Sequence, residues 1–240
     1  MPVWAFFYSG KMKNEKSFIS VPFEFTNAVL GVASALKVRD MCVVGGAVRD
    51  CVLGKMSGHN TKPKDLDVIL PTPLVQPQKN PNIIGIRKNS LGGVKLYVKN
   101  FGTVDVFQQY TDEPEYIIAN YFDFNCNSLY YRMHDNTIQP SVFFLEFLES
   151  RTIREQNMAY TKGGINGMYG VPQMVMRALK FQILFSEKYN LETELSDDLL
   201  YKIYNMKTSD EKEMKKYMMS HIVDKQLQKK ILENYFQIKR

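Results

Sequence analysis

The chain has 240 residues, 45% hydrophobic and 23% charged, with a formal net charge of +6. That length suits one or two domains with a sizeable core, and the composition is that of an ordinary globular protein. It excludes a low-complexity chain and, because the apolar runs stop well short of about 20 residues, a membrane-spanning helix; the positive balance favours a polyanionic partner such as RNA.

The first residues, Met1 to Tyr8, are briefly apolar but lack the basic leading region of a signal peptide, and are expected to form an added strand or a hydrophobic plug. Val29, Leu30, Val32, Ala33 and Leu36 recur at helical spacing, which predicts a helix over 26–39. From Cys42 to Leu70 the pattern reads as a buried strand, a Gly45-Gly46 turn opening a helix, a basic loop over 55–64, and a second strand carrying Asp65 and Asp67. The stretch 71–90 is rich in Pro, Asn and Gln and is expected to be a long loop beside the site, holding Lys79, Arg87 and Lys88. Residues 93–110 alternate and break at Asn100-Phe101-Gly102, as a β-hairpin does.

From Ser141 onward the pattern turns helical: an apolar run over 142–148, a charged one over 149–157, and a glycine-rich turn over 160–170. In the tail, Leu199, Leu200, Ile203, Tyr204, Ile222, Val223, Leu227, Ile231, Leu232 and Tyr235 keep helical spacing, with starts expected at Ser196-Asp197-Asp198 and Ser209-Asp210-Glu211. The tail lysines (Lys212, Lys215, Lys216, Lys225, Lys229, Lys230) read as a solvated face, with an RNA-backbone track as the alternative. Cys42, Cys51 and Cys126 are widely spaced on core elements, which points to a reducing, cytoplasmic setting without disulfides or zinc. His59, His134 and His221 lie far apart and read as surface residues.

The chemistry concentrates between Cys42 and Leu70. Side chains alternate along a strand, so Asp65 and Asp67 point to one face and together can hold divalent cations. Gly45 and Gly46 let a helix N-terminus approach a phosphate closely, with free N–H groups and the positive dipole end aimed at it. Asp105 lies between Val104 and Val106 on the second hairpin arm, out of place in a plain core strand. It fits if it joins Asp65 and Asp67 across the sheet, or it is an exposed strand aspartate. A phosphate cradle opposite paired carboxylates is apparatus for nucleotidyl transfer.

Gly45-Gly46-Ala47-Val48-Arg49-Asp50, Leu53-Gly54, and then Asp65-Leu66-Asp67 in this order resemble the signature of the DNA polymerase β nucleotidyltransferase superfamily. The nearest branch is the class II tRNA nucleotidyltransferases and poly(A) polymerases. The resemblance implies an α+β fold: a small mixed-sheet nucleotidyltransferase head with flanking helices, followed by an all-α neck. Its division here would be 1–140 for the N-terminal extension and head, and 141–240 for a helical neck and short cap. The chain resembles the compact, phage-encoded members, a head and neck with little beyond them. Asp65, Asp67 and Asp105 would hold two Mg²⁺ (or Mn²⁺) ions, Gly45 and Gly46 would cradle the triphosphate with support from Arg49, and Asp50 would orient the turn. The stretch Asp123-Phe124-Asn125-Cys126-Asn127-Ser128-Leu129 resembles the segment that contacts the nucleotide's sugar and phosphates, through Asp123 and Asn127. Arg177-Ala178-Leu179-Lys180-Phe181 resembles a neck helix in which Arg177 and Lys180 touch nucleotide or RNA, or else cap and solvate that helix.

Two departures matter. The family's arginine pair before the aspartate is replaced by Tyr121 and Phe122. Its base-reading acid and arginine positions are Gly170, Val171 and Met174 here. The implied activity is a metal-dependent, template-independent transfer of NMP from an NTP, ATP or CTP, to an RNA 3′ end such as that of tRNA, without a membrane partner. The alternatives are a different acceptor (a protein, a small molecule, or a tRNA modified for inhibition) and a catalytically weak RNA- or partner-binding module.

Overall fold

A computed structural model of the chain describes residues 21–59, 62–89, 93–107, 113–115, 118, 122–156 and 170–240. The stretch Met1 to Tyr8, Tyr121 and most of the glycine-rich 160–170 segment lie outside the described residues. Described residues fall into two units. One comprises those up to Ile118 with Asn127–Val142, the other those of 119–126 with those of 143–240.

The first unit is built around a seven-stranded sheet in the order β3-β4-β5-β2-β1-β6-β7. Its strands are β1 (Cys42–Val44), β2 (Asp65–Ile69), β3 (Ile83–Lys88), β4 (Val94–Val98), β5 (Gly102–Val106), β6 (Leu129–Arg132) and β7 (Thr137–Pro140). Helices α1 (Phe23–Leu36) and α2 (Gly46–Met56) complete it. Helix α1 buries Phe25, Ala28, Val29, Val32, Ala33 and Leu36; it starts and ends three residues earlier than its spacing predicts, and Leu30, expected on the apolar stripe, is exposed. Phe25 meets the ring of Tyr131 on β6 edge-to-face at 5.3 Å, which fixes the sheet face that α1 covers. Val43 pairs with both Tyr131 and Val68, and Val68 pairs with Val106, so that face is a continuous buried row.

The opposite face carries the polar chemistry. The β4–β5 hairpin turns through Asn100, whose φ of 64° is left-handed. At Gly102, φ is 142° and an added Cβ would stand 2.5 Å from the carbonyl oxygen of Lys64. Only glycine lets β5 approach the start of β2 so closely.

Three expectations change. Arg87 and Lys88 lie on edge strand β3 rather than in a loop; only 71–82 connects, with one 3-10 turn at Pro77–Lys79. The hairpin β6–β7 is an addition to the expected elements: residues 129–140 lack a turn glycine to mark it. The region after Ser141 is not purely helical: β8 (Thr152–Ile153) pairs in parallel with β9 (Glu194–Leu195).

The second unit is otherwise helical, with α3 (Val142–Ser150), α4 (Val171–Tyr189), α5 (Asp197–Asn205), α6 (Thr208–His221) and α7 (Lys225–Lys239). Its core is a chain of rings: Phe124 on Phe181 at 5.5 Å, Phe181 on Phe185 at 5.8 Å, and Phe185 on Phe147 at 5.5 Å. Helix α6 starts at Thr208, and Asp210 caps it by accepting the Lys207 N–H at 2.9 Å. Helix α7 has a start not foreseen, with Asp224 accepting from the N–H groups of Gln226 and Leu227. Leu199, Ile203, Ile231 and Tyr235 are buried as expected, whereas Tyr204 and Val223 are exposed. Among the described residues no helix is long and apolar enough to cross a membrane.

All three cysteines are free and buried, and burial pushes the thiols of Cys42 and Cys51 up to about 12. A thiol reagent at pH 8 should therefore label the native protein far more slowly than the denatured chain, as absorbance of the released chromophore would report. Gly102→Ala should cost about 1–3 kcal/mol of unfolding free energy, the range for a strained backbone position, measurable by denaturant titration.

Candidate active site

Pairing register brings the carboxylates of the first unit onto one sheet face. Strands β2 and β5 run parallel with Asp65 opposite Thr103 and Asp67 opposite Asp105. Neighbouring strands lie about 4.8 Å apart, so Asp67 and Asp105 stand side by side, and Asp65 shares their face two residues away. On the far side, β4 sets Lys95 opposite Asp105. Lys95 Nζ lies 2.8 Å from Asp105 Oδ2. That hydrogen bond, aided by the charge of Asp67, holds the Lys95 pKa above its ordinary value against the opposing pull of burial. The other oxygen of Asp105, Oδ1, is buried and has no hydrogen-bond partner.

Lys95 thus engages one oxygen of Asp105 from the β4 side. Among the described residues no three Asp, Glu, His or Cys side chains gather around one point as a ready-made metal cage. The donor set nonetheless fits a divalent cation: hard oxygen ligands on adjacent strands, and one buried carboxylate oxygen with an open valence. Local sequence carries no cue to Lys95, since only cross-strand register reveals a cation opposite Asp105.

On the other side of β2, β1 runs into Gly45 and α2. Gly45 has φ 70° and ψ −136°, a conformation that other residues rarely adopt, and its N–H donates to Leu129 O at 3.4 Å. Gly46 opens the helix, where a Cβ would stand at an ordinary 3.7 Å from Arg49 Nη2. The first-turn amides of α2 have no partner within the helix and are available to an anion.

Arg49 is buried, and its guanidinium is committed to protein partners. Nε and Nη2 donate to Asp50 Oδ1 at 2.8 and 2.6 Å, and Nη1 donates to Asn127 Oδ1 at 2.6 Å. The motif's Arg-Asp pair therefore ties the first turn of α2 to Asn127, just before β6. Asn127, itself buried, faces Arg49 in the described structure.

Asp123, Arg177 and Lys180 belong to the second unit. Asp123 is buried, and its Oδ2 accepts from Arg177 Nε at 2.6 Å and lies 2.6 Å from Nη2. The Arg177 guanidinium also lies 5.8 Å from the Phe181 ring centre. Backbone bonds fix the Asp123 segment: Gln156 N–H donates to Asp123 O, and Asn125 exchanges side-chain bonds with Thr152 O and the Arg154 N–H. Gly170 is the N-cap of α4, Val171 is its first residue, and Met174 is fully buried. None of the three presents a polar side chain to a base edge. Arg177→Met should destabilise the protein by roughly 2 kcal/mol in denaturant titration, because it strands the buried Asp123 carboxylate while keeping the apolar stem.

No family model and no curated protein matches the sequence. Solved structures match by fold. A CCA-adding enzyme in complex with ATP superposes with a TM-score of 0.61 at 15% identity, over 93% of this chain and 55% of that one. The Thermotoga maritima CCA-adding enzyme complexed with tRNA gives 0.59 at 15% identity, over 93% and 55%. A tRNA-processing enzyme in an apo form gives 0.60 at 17% identity, over 93% and 59%. The chain thus spans less than two thirds of the length of each of these structures. What it has in common with the CCA-adding enzymes is their mixed α+β nucleotidyltransferase fold.

Proposed function

We propose that the chain is a metal-dependent, template-independent nucleotidyltransferase that moves NMP from an NTP to an RNA 3′ end and releases pyrophosphate. The observation that carries this reading is the in-register pairing of Asp67 with Asp105, with Asp65 on the same face and the Gly45–α2 turn on the adjacent strand. Support also comes from the matched CCA-adding enzymes, whose structures contain CTP, ATP or tRNA. A divalent cation held there would polarise the phosphate and lower the pKa of the attacking hydroxyl.

The chain's own groups divide the remaining work. Asp65 and Asp67 would hold the cation. Asp105, through its unpartnered Oδ1, accepts the proton of the 3′ hydroxyl as that oxygen attacks, and its carboxylate would complete the ligand set beside Asp65 and Asp67. The amides of the first turn of α2 bind the triphosphate, and Arg49 keeps that turn rigid through Asp50 and Asn127. The 3′ oxygen attacks the α-phosphorus in line, its bond to the β-phosphate oxygen breaks, and pyrophosphate departs with the electron pair. The absence of polar side chains at Gly170, Val171 and Met174 favours a base choice unlike that of the class II enzymes. It also supports a second reading, in which the acceptor is a protein or a small molecule. The free, buried thiols accord with a cytoplasmic setting.

Purified protein incubated with Mg²⁺, total RNA and each α-labelled NTP should place label in RNA with at least one of them. Asp65→Ala/Asp67→Ala should lower that rate by about 10²- to 10⁴-fold, the several kcal/mol of barrier that a positioned cation supplies. No label in RNA with any NTP would overturn the RNA reading, and label in protein would establish the second one.

A further inference from the structure

The register that aligns the carboxylates continues outward. Asp67, Asp105, Lys95 and Arg87 lie directly opposite one another on β2, β5, β4 and β3, so four charged side chains cross the sheet in one row on one face. The next row reads Asp65, Thr103, Tyr97 and Gly85 on those same strands. Anionic at β2 and β5, the surface becomes cationic at β4 and β3.

The two cations differ. Lys95 is engaged with Asp105, whereas Arg87 is exposed and has no carboxylate partner among the described residues. The Arg87 guanidinium lies 5.6 Å from the centre of the Tyr97 ring. Tyr97 is half-buried, and its ring lies against Gly85, where an added Cβ would come within 3.0 Å of Tyr97 Cδ2. An arginine and an aromatic ring on an exposed sheet face combine a phosphate contact with a stacking platform, the pairing by which proteins hold single-stranded nucleic acid.

Position decides which part of a substrate this pair meets. The triphosphate cradle at Gly45 lies on the β1 side of β2, and Arg87 and Tyr97 lie on the β5–β4–β3 side. In-line attack requires the nucleophile to approach opposite the leaving group. Two strand spacings, about 10 Å, separate Asp105 from Arg87, the reach of the nucleotide next to a reacting 3′ end. We infer that Arg87 and Tyr97 form the acceptor subsite, where Tyr97 stacks a base of a single-stranded RNA 3′ end and Arg87 binds its phosphate. This inference rests on the RNA nucleotidyltransferase reading.

The test measures binding of a short 5′-labelled single-stranded RNA by fluorescence anisotropy across a salt series, and KM for RNA and for NTP separately. Arg87→Gln should weaken RNA binding about threefold to tenfold and reduce the log–log salt slope by about one. Tyr97→Leu should weaken it about tenfold, as loss of one stacked base does, and Tyr97→Phe should restore it. The KM for NTP should stay within about twofold in each variant, because the NTP lies across β2. Lys79→Gln removes the same charge from the connection that Asn80 anchors to Ala35 O of α1, and should bind RNA as the parent does. If the parent labels RNA while Arg87→Gln and Tyr97→Leu bind it unchanged, the subsite is wrong and the activity stands. If the parent neither binds nor labels RNA, or labels protein instead, the RNA reading fails and the subsite fails with it.

Discussion

The parallel pairing of β2 with β5 is the constraint on which the first unit depends. The other pairings among the described strands of the seven-stranded sheet are antiparallel. Parallel pairing with Asp67 opposite Asp105 sets two like charges side by side, an arrangement that costs free energy unless something offsets it. Lys95 supplies part of that offset from β4. A one-residue slip would set Asp67 opposite a valine and turn the carboxylates of one strand into the apolar layer under α1. Leu66, Val68, Val104 and Val106, all buried on that layer, therefore hold the register as firmly as the backbone bonds do. The close approach of Gly102 to Lys64 fixes the same register at the strand start.

Much of this is legible in the sequence where local signals and tertiary context agree. The helix after Gly45-Gly46, the strand carrying Asp65 and Asp67, and the β4–β5 hairpin follow from alternation and turn chemistry. Strand β3 is not legible in the same way: it follows a proline-rich connection and sits at the edge among the described strands, where Ile84 and Arg87 are both exposed and alternation carries little signal. The short β8–β9 pair joins residues some forty positions apart and has no local signature. Residue types at the candidate site were legible, but their partners were not. Nothing in the chain order says that Arg49 is held by Asp50 and Asn127, that Arg177 is held by Asp123, or that a lysine stands beside Asp105.

In both units, motif arginines act as internal ties. Arg49 secures the turn that presents the α2 amides, and Arg177 neutralises a buried carboxylate within a column of phenylalanines. Each is a planar, always-charged fork that can satisfy two acceptor oxygens at once, a role that lysine fills poorly. Rigidity around a glycine turn is the physical counterpart of preorganisation: amides already aimed at a phosphate need no reordering when it arrives.

Strand β3 has a second consequence through its backbone. As the outer strand of the sheet among the described residues, it leaves one side of its N–H and C=O groups without a strand partner there, a template on which another extended chain could pair. Ile84 and Ile86 are exposed there, which would make such pairing more adhesive. Arg87 and Lys88, also exposed, give that border a charge that a second copy must meet with its own. The cations of β3 therefore oppose edge-to-edge self-association. An engineered neutral β3 would trade colloidal stability for whatever it gained elsewhere.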